Sequence, residues 1–240
     1  MTPLALRPAA VAGLFYSQVP SELAAEVRAL LEAASEPAPH GSGAPKALIV
    51  PHAGYLYSGA VAARAYRRLS GLRDVVRRVV LIGPAHQKWV SGVAGVSTEA
   101  FATPCGPVPV DQSALAELAD LPQVVIDDEA HAQEHSLEVH LPFLCASLSR
   151  FEIVPLIVGG ASATEVAEVL ERLWGGDETL IVVSSDLSHH HDDATARQMD
   201  AETTAAIEAL APERLSAEGA CGARPISGLL IQAKRHELTV

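Results

Sequence analysis

The sequence predicts an α/β fold with a largely parallel sheet. Short β-branched runs alternate with longer amphipathic stretches, the pattern of repeated strand–helix units. A hydrophobic content of 49% against 19% charged residues gives the 240 residues enough apolar material for a large core. No stretch is long enough to read as a domain linker, so a single domain is expected over 1–240. Aromatics make up only 4%, which leaves the packing to Ala, Val and Leu.

Taken in order, an irregular opening leads to Ser21, the expected N-cap of a helix that carries Leu23, Val27, Leu30 and Leu31. Glu36–Pro45, EPAPHGSGAP, is a loop by composition. Ala47–Val50 is the first strand, followed by an amphipathic helix over Ser58–Leu69, and Val79–Ile82 is the second strand. Gly and Pro between Val93 and Val110 predict hairpin or loop excursions. A helix around Ser113–Ala119 precedes a weaker third run, Val124–Ile126. Ile153–Val158 is the fourth, and the helix after it opens on the capping box Ser162-Ala-Thr-Glu165 and runs to Trp174. Leu180–Val183 is the fifth, with a long helix over Ala194–Leu210 behind it.

The formal net charge of −12 disfavours nucleic acid and anionic membranes as partners, since both call for a basic face. Three widely spaced cysteines, Cys105, Cys145 and Cys221, make a poor disulfide framework and fit a reducing compartment. The N-terminus lacks the basic region and long apolar run of a signal peptide. No apolar stretch reaches the roughly 18–20 residues that span a bilayer. A cytoplasmic protein is expected.

Ligands of open α/β sheets bind beyond the carboxyl ends of the strands. Three of the runs end in polar text of that kind. They lead into Pro51-His52-Ala-Gly54-Tyr55, into Gly83-Pro84-Ala-His86, and into Ser184-Ser185-Asp186 followed by the internal triplet His189–His191. Two histidines and an aspartate from three strand ends have the composition of a two-His, one-carboxylate iron site. Each residue taken alone also fits a hydrogen-bonded loop position; the recurrence at three equivalent places favours a metal or catalytic role.

A second concentration holds His131-x-x-Glu134-His135, the inverzincin spacing, in which Glu134 would be the general base of a zinc hydrolase. The competing expectation starts a helix near Ser136, with Leu137, Leu141 and Leu144 buried and Pro142 in its first turns, and makes the match accidental. Cys221, between Gly219 and Gly222, reads either as a thiolate ligand or redox nucleophile or as a small buried turn residue. Cys105 and Cys145 look structural. No GxGxxG, P-loop or GxSxG is present, so nucleotide and serine-hydrolase readings have no support.

The segments RPAAVAGLFYS, IVPHAGYLYSGAVAARAY, LIGPAHQ, FATPCGPVPVD, EHSLEVHLPFL, VVSSDLSHHH and ACGARPI together resemble the Memo family, in the family's order from Arg7 to about Lys234. That family is related in fold to class III extradiol ring-cleaving dioxygenases. The resemblance implies a three-layer α/β/α sandwich with a mostly parallel, mixed sheet and a cleft at the strand ends. It implies that His52 and His86 match iron-ligating histidines and that Cys221 matches a cysteine proposed to complete the metal site. Asp186, His189 and His135 match polar residues of the same cleft, with Asp186 moved from ligand to acid/base partner or support. The cofactor implied is iron, with copper or zinc as alternatives.

The function so implied is a metal-dependent redox or dioxygenase-like activity on an unknown small molecule. The alternative is a non-catalytic module that binds a peptide or protein in the same cleft, as some family members are described as binding phosphorylated peptides. Association with a radical-SAM protein is a further expectation from how bacterial members are named. Relative to the family the chain looks shortened after Glu237-Leu-Thr-Val240, where a strand is expected to begin. An uncovered sheet edge there would favour a homo-oligomer.

Overall fold

Each of the five apolar runs becomes a strand, and the segments between them fold as helices that cover the sheet on both faces. The computed structural model describes residues 4–34 and 43–240, so most of the loop expected at 36–45 lies outside the described residues. In chain order the elements begin with β1 (Leu6–Arg7), α1 (Pro20–Ala33), β2 (Ala47–Val50), α2 (Tyr55–Arg67) and β3 (Arg78–Pro84). Next come β4 (Val93–Gly95), β5 (Ala100–Phe101), β6 (Val108–Pro109), α3 (Gln112–Ala116), β7 (Val124–Ile126) and α4 (Asp128–Ala132). A 3₁₀ turn (Glu138–His140) leads into α5 (Leu141–Ser147), followed by β8 (Glu152–Val158), α6 (Ala163–Arg172) and β9 (Thr179–Ser184). The last are α7 (Asp193–Glu208), a 3₁₀ turn (Pro212–Arg214) and α8 (Ala223–Arg235).

Among the described residues the main sheet has six strands in the order β2-β9-β3-β8-β4-β7. β2, β9, β3 and β8 are mutually parallel; β4 runs antiparallel to β8, and β7 is parallel to β4. The sheet is therefore mixed, as expected. Its central strands are apolar on both faces because helices pack on both. Val79, Val80, Leu81, Ile82, Ile153, Val154, Leu156, Ile157, Ile181, Val182 and Val183 are all fully buried. One helical layer is α1, α2 and α5, which pack on one another; the other is built on α8 with α6 and the turn beside α7.

Two local expectations are corrected. Helix α1 starts at Pro20, with Val19 as N-cap and no side-chain cap bond, so Ser21 lies inside the first turn. Proline's fixed φ and missing N–H suit that first position and set the start instead. The Val93–Val110 stretch does contain a hairpin, β5 against β6, but also supplies β4 to the main sheet. A three-residue strand among glycines carries too little periodicity to be read, and its pairing with β8 and β7 defines it.

Other local signals hold. The Ser162 hydroxyl accepts from Glu165 N–H and the Glu165 carboxylate from Ser162 N–H, the reciprocal capping box. Asp192 caps α7 one way only, its carboxylate accepting the N–H groups of Ala194 and Thr195. Pro142 sits in the first turn of α5, with Leu137, Leu141 and Leu144 buried. The strand expected to begin at Glu237 does not form: α8 ends at Arg235, residues 238–240 have no sheet pairing, and β2 remains an edge strand. No helix among the described residues is long and apolar enough to cross a membrane.

Candidate metal centre

Parallel strands that end level bring their following loops together. Val50 at the end of β2 is level with Ser184 of β9, and Ile82 of β3 with Val183. His52 therefore emerges beside Ser184-Ser185-Asp186, and His86 emerges from the strand on the other side of β9. Gly83 keeps this edge tight: a Cβ there would lie 3.0 Å from both Leu137 Cδ2 and Ser184 Cβ. His135 enters from the segment between α4 and α5.

The three imidazoles form a cluster. Ring centroids lie 5.1 Å apart for His52 and His86, 5.5 Å for His52 and His135, and 4.9 Å for His86 and His135. One ring nitrogen from each falls within 4.8 Å of the others, so the group can hold a metal ion. Exposure is graded: 2% of the His52 side chain, 18% of His135 and 29% of His86 reach solvent. The cluster opens on the His86 side.

Each ring is held from behind. His52 Nδ1 lies 2.6 Å from Ser184 Oγ, and the His52 backbone N–H donates to Asp186 Oδ1 at 2.7 Å. Glu134 hydrogen-bonds the His86 ring and lies against that of His135. Its Oε1 is 3.1 Å from His86 Nδ1 and 3.3 Å from His135 Nδ1, and accepts the N–H groups of His135 and Ser136. Its Oε2 accepts the N–H groups of His86 and Gln87. A carboxylate behind an imidazole fixes the tautomer and turns the other nitrogen forward.

Electrostatics follow from these contacts. Burial alone would raise the Glu134 carboxyl, but its bonds to the His86 ring and to the N–H groups of His86 and Ser136 hold it at about 2. Hydrogen bonds to Cys221 and Glu134 raise His86 to about 9 against the opposing effect of burial. Burial lowers His135, and the neighbouring His86 and His52 charges lower it further.

Cys221 lies at the start of the α8 approach, with Sγ 3.4 Å from His52 Nε2 and accepting Asp186 N–H at 3.3 Å. Burial would raise this thiol, yet the hydrogen bonds from His52 and His86 bring it down to about 6, so it is a thiolate at neutral pH. Gly222 makes the approach possible. A Cβ at that position would stand 2.6 Å from Ser184 O and from Ser185 Cβ. Asp186 Oδ2 is 3.9 Å from His52 Nε2 and 3.5 Å from His189 Nε2, and His189 is exposed at the rim.

The structure thus brings His52, His86, His135, Cys221 and Asp186 together with His189 beside them, but it does not assemble the zinc-hydrolase motif. Helix α4 ends at Ala132, so His131 and His135 do not share a helical face. His131 is 1% exposed, its Nε2 bonds Ala94 O at 3.0 Å, and its ring packs against Phe101. Burial lowers it to about 4, which keeps it neutral. Glu134 is engaged by its N–H donors and is no free base. Cys105 is exposed at the β5–β6 turn rather than packed, while Cys145 is half-buried on α5 and pushed up to about 12 by burial.

Sequence reasoning missed the supporting role of Glu134 and the part of Ser184. The adjacency of Glu134, His135 and Ser136 and the serine at the end of β9 were the available signals. It also missed an N-terminal strap. Arg7 pairs with buried Glu138 at 2.5 Å and donates to His131 O and Glu134 O. Glu138 also accepts Ala10 N–H, Val11 N–H and the Tyr16 hydroxyl. Between these anchors the Phe15 ring lies 5.0 Å from His135, and Phe15 O accepts Tyr55 N–H at 2.8 Å.

Fold and site define an α/β protein with an imidazole cluster, capable of holding a metal ion, at the carboxyl edge of its sheet. Residues 7–238 match the family described as Memo-like protein, and the chain belongs to that family. It is 37% identical over 215 residues to a MEMO1 family protein of Aquifex aeolicus, covering 88% of this chain and 77% of that one. A MEMO1 family protein of Methanosarcina barkeri is 36% identical, with 96% and 88% covered. One from Thermoplasma acidophilum is 32% identical, with 96% and 87% covered.

Proposed function

We propose that the protein is a metal-dependent redox protein, with iron as the leading metal and copper or zinc as alternatives. The observation that carries the reading is the donor set: three imidazoles with nitrogens within 4.8 Å of one another, and a thiolate 3.4 Å from His52 Nε2. Imidazole and thiolate suit iron, copper and zinc far better than magnesium or calcium. His52 and His86 belong to either triad of ligands. His135 completes an all-imidazole set, and Cys221 supplies the softer alternative or a fourth donor.

Iron held by such ligands would supply one-electron chemistry and an open position for oxygen or substrate. The chain's own groups do the rest. Glu134 and Ser184 keep the rings turned, and Asp186 fixes the His52 backbone. His189, exposed and 3.5 Å from Asp186 Oδ2, is placed to pass a proton between the rim and the cluster. The substrate would be a small molecule entering on the His86 side.

A second reading, a site that binds a peptide without turnover, is favoured by exposed apolar residues near the cluster in sequence. Leu56 and Tyr57 follow His52 closely and are 87% and 79% exposed, and Trp89, just past His86, is 73% exposed.

Anaerobic purification with measurement of bound metal separates the readings. Iron is expected in the wild type and in His131→Ala, and is lost in His52→Ala and His86→Ala. Loss in His135→Ala or in Cys221→Ala identifies the third ligand. The absence of stoichiometric metal from every preparation would reject the redox reading and leave the binding site. Oxygen consumption with catechols and thiols then tests turnover.

A further inference from the structure

Behind His52 a buried chain of polar groups runs away from the cluster. Ser184 Oγ has three neighbours: His52 Nδ1 at 2.6 Å, His140 Nε2 at 2.9 Å and the Ser136 carbonyl oxygen at 2.5 Å. His140 Nδ1 in turn lies 2.9 Å from the Tyr66 hydroxyl. His52, Tyr66, His140 and Ser184 are each 2% exposed or less, so water cannot stand in for any partner.

The protons of this chain can be placed by counting. A carbonyl oxygen only accepts, and a serine hydroxyl has one proton to give. The Ser184 proton therefore goes to Ser136 O, because any other placement leaves two buried oxygens facing each other with no hydrogen between them. Both imidazole nitrogens must then donate to Ser184 Oγ. His140 is consequently protonated at Nε2, and its Nδ1 accepts the Tyr66 hydroxyl proton. Burial agrees with this: it lowers His140 to about 3, so the ring is neutral with one proton, and it keeps the Tyr66 phenol protonated.

We infer that Ser184, set in direction by His140 and Tyr66, is a positioning residue that keeps a proton on His52 Nδ1 and so leaves Nε2, which faces Cys221 Sγ at 3.4 Å, as the nitrogen turned toward the cluster. Its functional meaning rests on the metal-site reading, whereas the tautomer itself does not. His86 receives the same service from the Glu134 carboxylate. His52 receives it from a neutral hydroxyl, so the most buried imidazole gains its orientation without a carboxylate behind it. Tyr66 is needed because without its proton His140 could carry hydrogen on Nδ1 and take the Ser184 proton at Nε2. Ser184 would then lose its fixed direction.

The test uses the whole metal-free protein, labelled with ¹⁵N and held at pH 8, with ring-nitrogen correlation spectra reading each histidine tautomer. The His52 signals are assigned by their loss in His52→Gln. In the wild type His52 is expected to be protonated at Nδ1, with Nε2 facing the Cys221 sulfur. Ser184→Ala should give mixed tautomers and lower zinc affinity, measured by chelator competition, by about 10–100-fold. Tyr66→Phe should move both readouts in the same direction by less.

A wild-type His52 that is bare at Nδ1 overturns the inference, and so does Ser184→Ala with an unchanged tautomer or an unchanged zinc affinity. If Ser184→Ala does not fold, the wild-type spectrum decides alone. A wild type that shows the Nδ1–H tautomer yet binds neither zinc nor iron rejects the metal reading and leaves this assignment standing.

Discussion

Replacing Glu134 by Gln changes one oxygen to an amide nitrogen at nearly constant shape, and the structure sets the size of the effect. Glu134 Oε2 accepts His86 N–H at 2.5 Å and Gln87 N–H at 3.2 Å; Oε1 accepts His135 N–H at 2.9 Å and Ser136 N–H at 3.0 Å. An amide has a single oxygen, so whichever way it turns, two backbone donors face an N–H. At about 1–3 kcal/mol for each buried donor left without a partner, the loss is about 2–6 kcal/mol. Solvent reaching His86 favours the lower half of that range. An independent route agrees: depression of the carboxyl from 4.5 to about 2 corresponds to about 3 kcal/mol of stabilisation of the charged form.

The same change withdraws the acceptor behind the His86 ring, for which the usual loss of metal affinity is about 10–100-fold. Urea unfolding of the metal-free protein measures the first effect, and zinc competition against a chelator measures the second. Glu134→Gln should lower both. A variant with the wild-type unfolding midpoint and wild-type zinc affinity would refute the reasoning, because it would show that the hydrogen bonds to Glu134 are not made in solution.

Three further outcomes are expected. Gly222→Ala should push Cys221 away from the end of β9, lowering stability by about 1–3 kcal/mol through overpacking and weakening zinc binding, both readable in the assays above. Glu138→Ala leaves Arg7 buried without its partner and should cost about 3–5 kcal/mol in chemical denaturation. His131, lowered to about 4 by burial against 6.5 when unfolded, gives a pH dependence. The unfolded chain takes up the proton first, so this stability is present above about 6.5 and is lost as pH falls toward 4. The shift is worth about 3 kcal/mol, and His131→Gln should flatten the unfolding midpoint against pH across that window.

Much of the fold was legible because burial writes itself into composition. The runs at Val79–Ile82, Ile153–Val158 and Leu180–Val183 are apolar at every position because helices cover both faces of their strands. Val124–Ile126 read weakly for a physical reason: it is the edge strand β7, with Val125 and Ile126 partly exposed. His52 and His86 were legible because strand ends are where parallel sheets gather polar groups. The His131-x-x-Glu134-His135 spacing left Glu134 as a possible catalytic base beside an accidental match, because its partners at His86 and Gln87 are set by the fold. The role of Ser184 depends on His140 and Ser136, more than forty residues away in sequence, and no local pattern announces such a contact. Cys221 gained its place beside the cluster from family resemblance, and its glycine neighbour is the structural reason it fits.

The N-terminal strap turns a plain opening segment into a remote handle on the site. Arg7 reaches the carbonyls of His131 and Glu134, and Phe15 touches both the His135 ring and the first amide of α2. A gene product started a few codons late, or a protease clip beyond residue 7, would take away β1 and its pairing with β5 but would remove no cluster residue and no strand of the six-stranded main sheet. It would nevertheless release the loop that carries Glu134 and His135. Such a protein would pass a test for foldedness and fail one for metal retention, so a negative metal assay on a trimmed product would report the loss of the arginine rather than any fault in the histidines.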